Sequence, residues 1–321
     1  MQRTLPIAAL LLAACATTAP APAPAPTPVL RHDEAARELR IDVEGRTVLG
    51  WQYAERFAIP HWFPLTSPSG KDLLAQFPEP FPHHRAMWIA DKVQLDGGPI
   101  VDFYHCPKNQ LDARDPAAGY RHFIRQTAMP RCEVRDGKAF VEVELQWLVD
   151  GKQAVLDDRR TFVVTPLPDG EALIDLAWTL RASHGNVKFH SDWVHYAWPY
   201  LRIQPQFAVE RGGALLDDAG RQGQRNTDAQ YANWIDYSAV VDGRAEGVAV
   251  FVPQDGSWRK WLTRDYGTFG PRRPDALSGT GFTLTKGESL DGSVRLYVHQ
   301  GRADAARVAA RYRDYVRETG R

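Results

Sequence analysis

Asp136-Gly-Lys-Ala-Phe-Val-Glu-Val-Glu-Leu-Gln-Trp-Leu-Val-Asp-Gly151 is the stretch that decides the fold. Between its two Asp-Gly pairs, Val141, Val143, Leu145 and Trp147 alternate with Glu142, Glu144 and Gln146. That period of two belongs to a strand with one buried face. Asp-Gly marks the turns because a type I′ hairpin needs positive φ at both central residues. Working outward, residues 122–127 and 131–135 precede this strand, and 154–165 and 172–182 follow it, the last pair turning at Asp169-Gly170. Ile174, Leu176, Trp178 and Leu180 repeat the alternation.

The remainder of the globular part follows the same pattern. Residues 38–43 and 46–53 flank Glu44-Gly45, 92–95 ends at Asp96-Gly97, and 101–105 enters a polar loop. A second meander runs from Val187 to His299, with strands at 234–241, 247–252, 282–285 and 293–299 and a turn at Asp242-Gly243. The one helix expected is 304–319: Asp304 is its N-cap, Val308, Tyr312, Tyr315 and Val316 form one apolar stripe, and Gly320 stops it. Hairpin-linked strands with one terminal helix predict an all-β chain, a large antiparallel β-sandwich with a C-terminal α-helix, as a single domain over 30–321.

Ahead of that domain, Arg3 and a short apolar run predict a signal peptide over 1–14. Leu12-Ala-Ala-Cys15 resembles the bacterial lipobox, which implies an acylated Cys15. Ala16 in place of Asp implies, by the same resemblance, sorting to the outer membrane. Residues 15–29 then form a Pro/Ala-rich tether, too poor in apolar side chains to bury a core. With 39 basic and 39 acidic residues the net charge is zero, so no electrostatic footprint for nucleic acid is expected. Membrane contact is expected through the lipid anchor only, since no later apolar run reaches spanning length. Cys106 and Cys132 can form a disulfide only if the fold brings them together.

Chemistry-bearing residues gather in a few places. The proline-rich stretch from Ser67 to Trp88 holds His83, His84 and Arg85 between Pro82 and Trp88. Its prolines exclude a helix interior or a central strand and reduce the entropy lost on ordering. Neighbours on a strand face opposite ways, so both histidines reach one site only through a turn or bulge. Otherwise this is a surface loop. In His190-Ser-Asp-Trp-Val-His-Tyr196, a strand would place His190 and Asp192 on one face and His195 on the other, either as an oriented base or as an ordinary polar face. Arg264, Asp265 and Tyr266 offer a paired charge beside a phenol; Arg264 suits a sugar carboxylate, or the pair is a structural one at a turn. His299 ends a strand. No Gly-x-Ser-x-Gly elbow, His-Glu-x-x-His, Walker loop, dinucleotide glycine fingerprint or Cys-x-x-Cys is present, so no organic cofactor is predicted and a metal ion stays open.

Ser67-Pro-Ser-Gly, Phe81-Pro-His-His-Arg-Ala-Met-Trp88, Trp234-Ile-Asp-Tyr-Ser238, Gly247-Val-Ala-Val-Phe251, Arg264-Asp-Tyr-Gly267 and Val298-His-Gln-Gly301 together resemble the bacterial family labelled "PmoA family". Two positions depart from its pattern: Leu262 stands where that family usually has His, and Ala86 where it usually has Gly. The resemblance implies a role for His83, His84, Arg85, Arg264, Asp265, Tyr266 and His299, a setting among glycan-degrading systems, and a supersandwich of the galactose-mutarotase type.

Together these readings predict a carbohydrate-active outer-membrane lipoprotein whose ligand is an oligosaccharide or polysaccharide. Acid–base elimination of the lyase or dehydratase type, on a uronate-containing or related oligosaccharide, fits best. His84 or His83 is then the base, Tyr266 or His195 the acid, and Arg85 or Arg264 the partner of the sugar carboxylate. Asp265, Trp88 and His299 complete the expected binding residues. The alternatives are a non-catalytic glycan-binding lipoprotein stacking sugars on Trp88, Trp193 and Trp198, and a metal-dependent enzyme using His83 or His84, His105 and His299.

Overall fold

The computed structural model describes residues 26–108, 119–190, 197–255, 259–272, 281–302 and 305–320. Strands dominate, and three sheets contain them. The first runs in the order Val29–Asp33, Glu38–Val43, Arg46–Gln52, His61–Leu65, Met87–Trp88, Tyr200–Arg202, Thr268–Pro271 and Trp261–Thr263. The second runs Ala214–Asp217, Trp234–Val241, Arg244–Phe251, Ser289–Gln300, Ala172–Arg181, Gln153–Pro166, Lys138–Val149 and Phe123–Arg135. A smaller third sheet joins Phe282–Leu284, Val187–Phe189, Lys92–Leu95 and Ile100–Asp102. All pairings among these strands are antiparallel, and the chain is a β-sandwich with a C-terminal helix.

The alternation dictates the layers. Val141, Val143, Leu145 and Trp147 are 0–2% exposed and join one core with Leu39, Trp51 and Trp62 of the first sheet and Val93 and Phe189 of the third. Phe162 of the second sheet meets Trp51 and Trp62 of the first at ring separations of 5.7 and 6.0 Å, so aromatic volume fills the space between layers. Inside this core Arg160 and Asp158 form a fully buried ion pair at 2.6 Å. Trp147 Nε1 donates to the same carboxylate at 3.0 Å, a further donor to that buried charge. The Asp136-Gly137 turn has φ of 51° and 70°, the positive pair its hairpin needs.

The first two strands expected before that turn are one, Phe123–Arg135. Pro130 does not break it, because the strand lies at the sheet edge and shifts register around Ala128. Ile100–Asp102 is shorter than expected: the Asp102 carboxylate takes the His105 amide at 3.0 Å and turns the chain. The helix Ala305–Thr319 lays Val308, Tyr312 and Tyr315 on Trp234, Phe251 and Tyr297, on the face of the second sheet away from the main core. The expected cap Asp304 lies outside the described residues.

Candidate functional site

His83 and His84 sit in a double turn. Phe81 N–H donates to the Pro78 carbonyl and His84 N–H to the Phe81 carbonyl, at 2.8 and 3.0 Å. The chain then bridges Arg85 to Gln76 and enters the short strand Met87–Trp88, which is held between Trp62 and Leu201 of its neighbours. The turn does what a strand cannot: adjacent imidazoles converge, with ring centres 4.6 Å apart. Phe81 stacks on His84 at 5.1 Å and touches Tyr266 at 5.3 Å, so Tyr266 joins the group across that ring.

The chain after Ile100–Asp102 supplies the other half. The Tyr104 hydroxyl lies 3.1 Å from His84 Nε2, and His105 lies 4.9 Å from His83 between ring centres. Asp102 Oδ2 is 2.7 Å from His105 Nδ1 and 3.6 Å from Lys92 Nζ. An Asp–His pair of this kind fixes the tautomer and leaves the other ring nitrogen directed elsewhere. Burial resists the charge on Asp102, but the hydrogen bond and charge of His105 outweigh it and lower the carboxyl.

Electrostatically the cluster is cationic at its rim and neutral at its centre. Burial, then Lys108 and His105, push His83 down to about 3. Burial, then His83 and Arg202, push His84 down to about 2. Both are neutral imidazoles near pH 7, each able to accept a hydrogen bond through its unprotonated ring nitrogen. Nδ1 of each is buried and has no hydrogen-bond partner among the described residues.

Arg202 closes the other side. Its guanidinium lies over the Tyr266 ring at 4.7 Å and donates through Nη1 to the Tyr266 carbonyl. Gly267 permits this, for a Cβ there would stand 3.1 Å from the Ile203 carbonyl oxygen, and its φ of +103° suits glycine.

The remaining expected residues lie elsewhere or do other work. Arg85 is 3% exposed and donates to the carbonyls of Phe57 and Pro82 while lying over Phe77; burial lowers it to about 10. These contacts brace the loop. Trp88 is 0% exposed, stacked on Tyr200 at 4.9 Å, so it is the floor beneath His84 and offers no open face to a sugar. Arg264 and Asp265 are not a pair: Arg264 binds Asp228 at 2.9 Å, and Asp265 accepts from the Gln224 amide at 2.7 Å. His299 is in the second sheet, bonded to Asp236 at 2.6 Å. His195 and Trp193 lie outside the described residues, as does Cys15. Cys106 is buried and Cys132 exposed, and both are free thiols. Among the described residues no three His, Cys, Asp or Glu side chains group as a metal site.

Tyr104, Asp102 and Arg202 are additions from the structure; His105, offered by the sequence as a metal ligand, is bonded to Asp102. Asp102 and His105 are three apart, a spacing without meaning until the turn forms, and Tyr104 carries no local signal for a partner twenty residues away. Arg202 ends the short strand Tyr200–Arg202 and has no acidic neighbour in sequence.

A family model, "Family of unknown function (DUF6807)", matches residues 38–313, and the chain belongs to that family. This corrects the PmoA resemblance: the motifs quoted for it all lie within the segment that matches this other family. No curated protein matches the chain in sequence. Among solved structures it is similar to a GH36 alpha-galactosidase, AgaB, from Geobacillus stearothermophilus, with 13% identity, 85% of this chain and 41% of that one covered, and a TM-score of 0.46. A heparan sulfate lyase HepC mutant from Pedobacter heparinus gives 8% identity, coverage of 82% and 30%, and a TM-score of 0.30. The chain thus spans less than half the length of these structures, both of carbohydrate-active enzymes.

Proposed function

We propose that this protein is a carbohydrate-active enzyme that cleaves a uronate-containing or related oligosaccharide by acid–base elimination. The observation that carries the reading is the Tyr104 hydroxyl 3.1 Å from Nε2 of a buried, neutral His84. Around that pair stand His83, the Asp102-oriented His105, and the cations Lys108 and Arg202. Elimination needs a base for the proton on the carbon bearing the carboxylate, a donor for the leaving oxygen, and positive charge beside the enolate that develops. The cluster holds all three kinds of group. The C–H bond breaks toward the base, its electrons form the new C=C bond, and the C–O bond to the leaving sugar breaks as that oxygen is protonated. Water is not consumed.

Hydrolysis has less support, because it calls for two facing carboxylates and Asp102 is committed to His105 and Lys92. The glycan-binding alternative loses two of its three stacking residues, since Trp88 and Trp198 are 0% and 1% exposed. The Leu12-Ala-Ala-Cys15 pattern supports placing this enzyme, as one domain over 30–321 on a 15–29 tether, at the outer membrane.

The test incubates wild type and His84→Gln with uronate-rich and neutral oligosaccharides, following product mass and ultraviolet absorbance. Elimination gives products whose masses sum to that of the substrate, one of them an absorbing unsaturated sugar, and the variant forms neither. Products heavier by one water would replace elimination with hydrolysis, and binding without any product would favour the non-catalytic reading.

A further inference from the structure

We infer that Arg202 takes the carboxylate of the substrate's acidic ring, the role that the sequence assigned to Arg85 or Arg264. The inference rests on the elimination reading for its consequence, and on the geometry of Arg202 for its substance. Arg202 is 4% exposed. The other deeply buried arginines have their charge or donors answered within the fold: Arg160 by Asp158, Arg272 by Asp228, Arg85 by two carbonyls. Arg202 has one carbonyl, that of Tyr266, on Nη1. Its Nε is buried with no acceptor, and no carboxylate lies within ion-pair distance of it among the described residues. Glu210, exposed on the turn Val209–Arg211, contributes only through its field.

A buried guanidinium without a counter-charge is unfavourable in the fold alone and favours an anion that can supply one. Tyr266 covers one face of the guanidinium and leaves its edge, the fork that grips a carboxylate with two parallel hydrogen bonds. The place also fits the chemistry. Tyr266 touches Phe81, Phe81 stacks on His84, and the charge of Arg202 is felt at His84. In a uronate the labile proton sits on the carbon that bears the carboxylate. A cation on the carboxylate therefore acidifies the proton that a base in the His83–His84–Tyr104 cluster would remove. Arg85 spends its Nε and Nη1 on backbone carbonyls, and Arg264 already has the counter-charge of Asp228.

The experiment measures binding, so that it does not depend on turnover. Tetrasaccharides of galacturonan, mannuronan and chondroitin, each with its carboxyl-reduced counterpart, are titrated calorimetrically into His84→Gln protein with Arg202 intact, as Gln, or as Lys. With Arg202 intact at least one acidic member binds tenfold or more tightly than its reduced partner. Arg202→Gln brings that ratio below about threefold, and Arg202→Lys leaves it between the two, because an ammonium keeps the charge without the fork. If Arg202→Gln does not fold, Arg202→Lys alone carries the test, through a fall in the ratio of at least threefold. An acidic preference that survives both substitutions overturns the inference, as does the lack of any preference with Arg202 intact. A preference lost with Arg202, in a protein whose wild type yields no unsaturated product, keeps the carboxylate site and removes elimination.

Discussion

The Tyr104 hydroxyl and Nε2 of His84 lie 3.1 Å apart, with both side chains less than 5% exposed. Each comes from an irregular segment, and each segment is anchored differently. His84 is fixed by a turn feeding a strand of the first sheet, and Tyr104 by the turn that leaves the third sheet at Asp102. The pair therefore marks where the two sheets meet, and the orientation of each group depends on the other.

Tyr104→Phe is predicted to lower kcat by about a hundredfold or more while leaving KM within severalfold, since a proton-transferring group typically contributes that much in the transition state. Loss of a single hydroxyl hydrogen bond costs about 1 kcal/mol of stability, so the protein stays folded. Steady-state kinetics with thermal melts separates the effects. Unchanged kcat with a lowered melting temperature would make the hydroxyl purely structural.

His83 and His84 are predicted to stay neutral from pH 8 to pH 5, because burial first, and neighbouring positive groups second, hold them at about 3 and about 2. Imidazole resonances followed by NMR, assigned through His83→Gln and His84→Gln, should show two rings that do not titrate in that window. Fully buried His61, also held at about 3 by burial, behaves likewise. The sign for stability follows. Their folded values lie below the unfolded value near 6.5, so the stabilisation is complete above that value and is lost as pH falls toward 3. For His61 the loss approaches about 1.4 kcal/mol per pH unit below 6. Denaturant midpoints should fall from pH 7 to 5, and less steeply in His61→Gln.

Much of the fold was legible in the sequence because period-two alternation and Asp-Gly turns are local. Lys92–Leu95 and Trp234–Val241 match the expected strands at both ends. Other limits moved where tertiary context overrode a local signal, as at Pro130, which an edge strand absorbs. The site was half legible. Prolines flagged the loop of His83 and His84, and the need for a turn there followed from strand geometry. Their partners were not legible. Tyr104 and Arg202 reach the loop only through sheet neighbours distant in the chain, and Arg85, beside the histidines in sequence, turns away to the Phe57 carbonyl. Adjacency along the chain did not show where the donors of that arginine go.

Removing the buried acid of the core pair should be costly. Asp158→Ala leaves Arg160 at 0% exposure without its counter-charge and the Trp147 indole without its acceptor. The expected loss is about 3–5 kcal/mol, the range for breaking a buried pair from one side. Replacing both partners together, as Asp158→Leu with Arg160→Met, should recover much of it, because no charge is then left buried. Urea unfolding of the single and double variants measures this, and a double variant no better than Asp158→Ala would show that shape, not charge, decides the site.

The last prediction concerns His299, which the sequence offered as a binding residue. Its Nε2 lies 2.6 Å from Asp236 Oδ2, and both groups are at most 1% exposed. Tyr297, two residues earlier on the same face of the strand, packs against the C-terminal helix, so His299 faces that side of the second sheet and not the His83–His84 cluster in the first. Burial pulls the imidazole down, but the charge and hydrogen bond of Asp236, with smaller help from the Gln300 carbonyl and Glu171, raise it overall. A raised folded value stabilises fully below the unfolded value near 6.5 and loses that contribution as pH rises through the folded value. His299 therefore gives the stability profile a falling alkaline side, opposite in sign to His61. Asp236→Asn should cost about 3 kcal/mol at pH 6, where the wild-type pair is charged, and less once pH has risen through the folded value of His299. Activity per folded molecule should be unchanged, since the pair lies outside the reacting cluster. Urea midpoints from pH 6 upward, with turnover, decide it: a loss that stays the same after the His299 ring is seen by NMR to give up its proton would mean that the charge of the pair does not stabilise the fold, and lost turnover in fully folded protein would return it to the site.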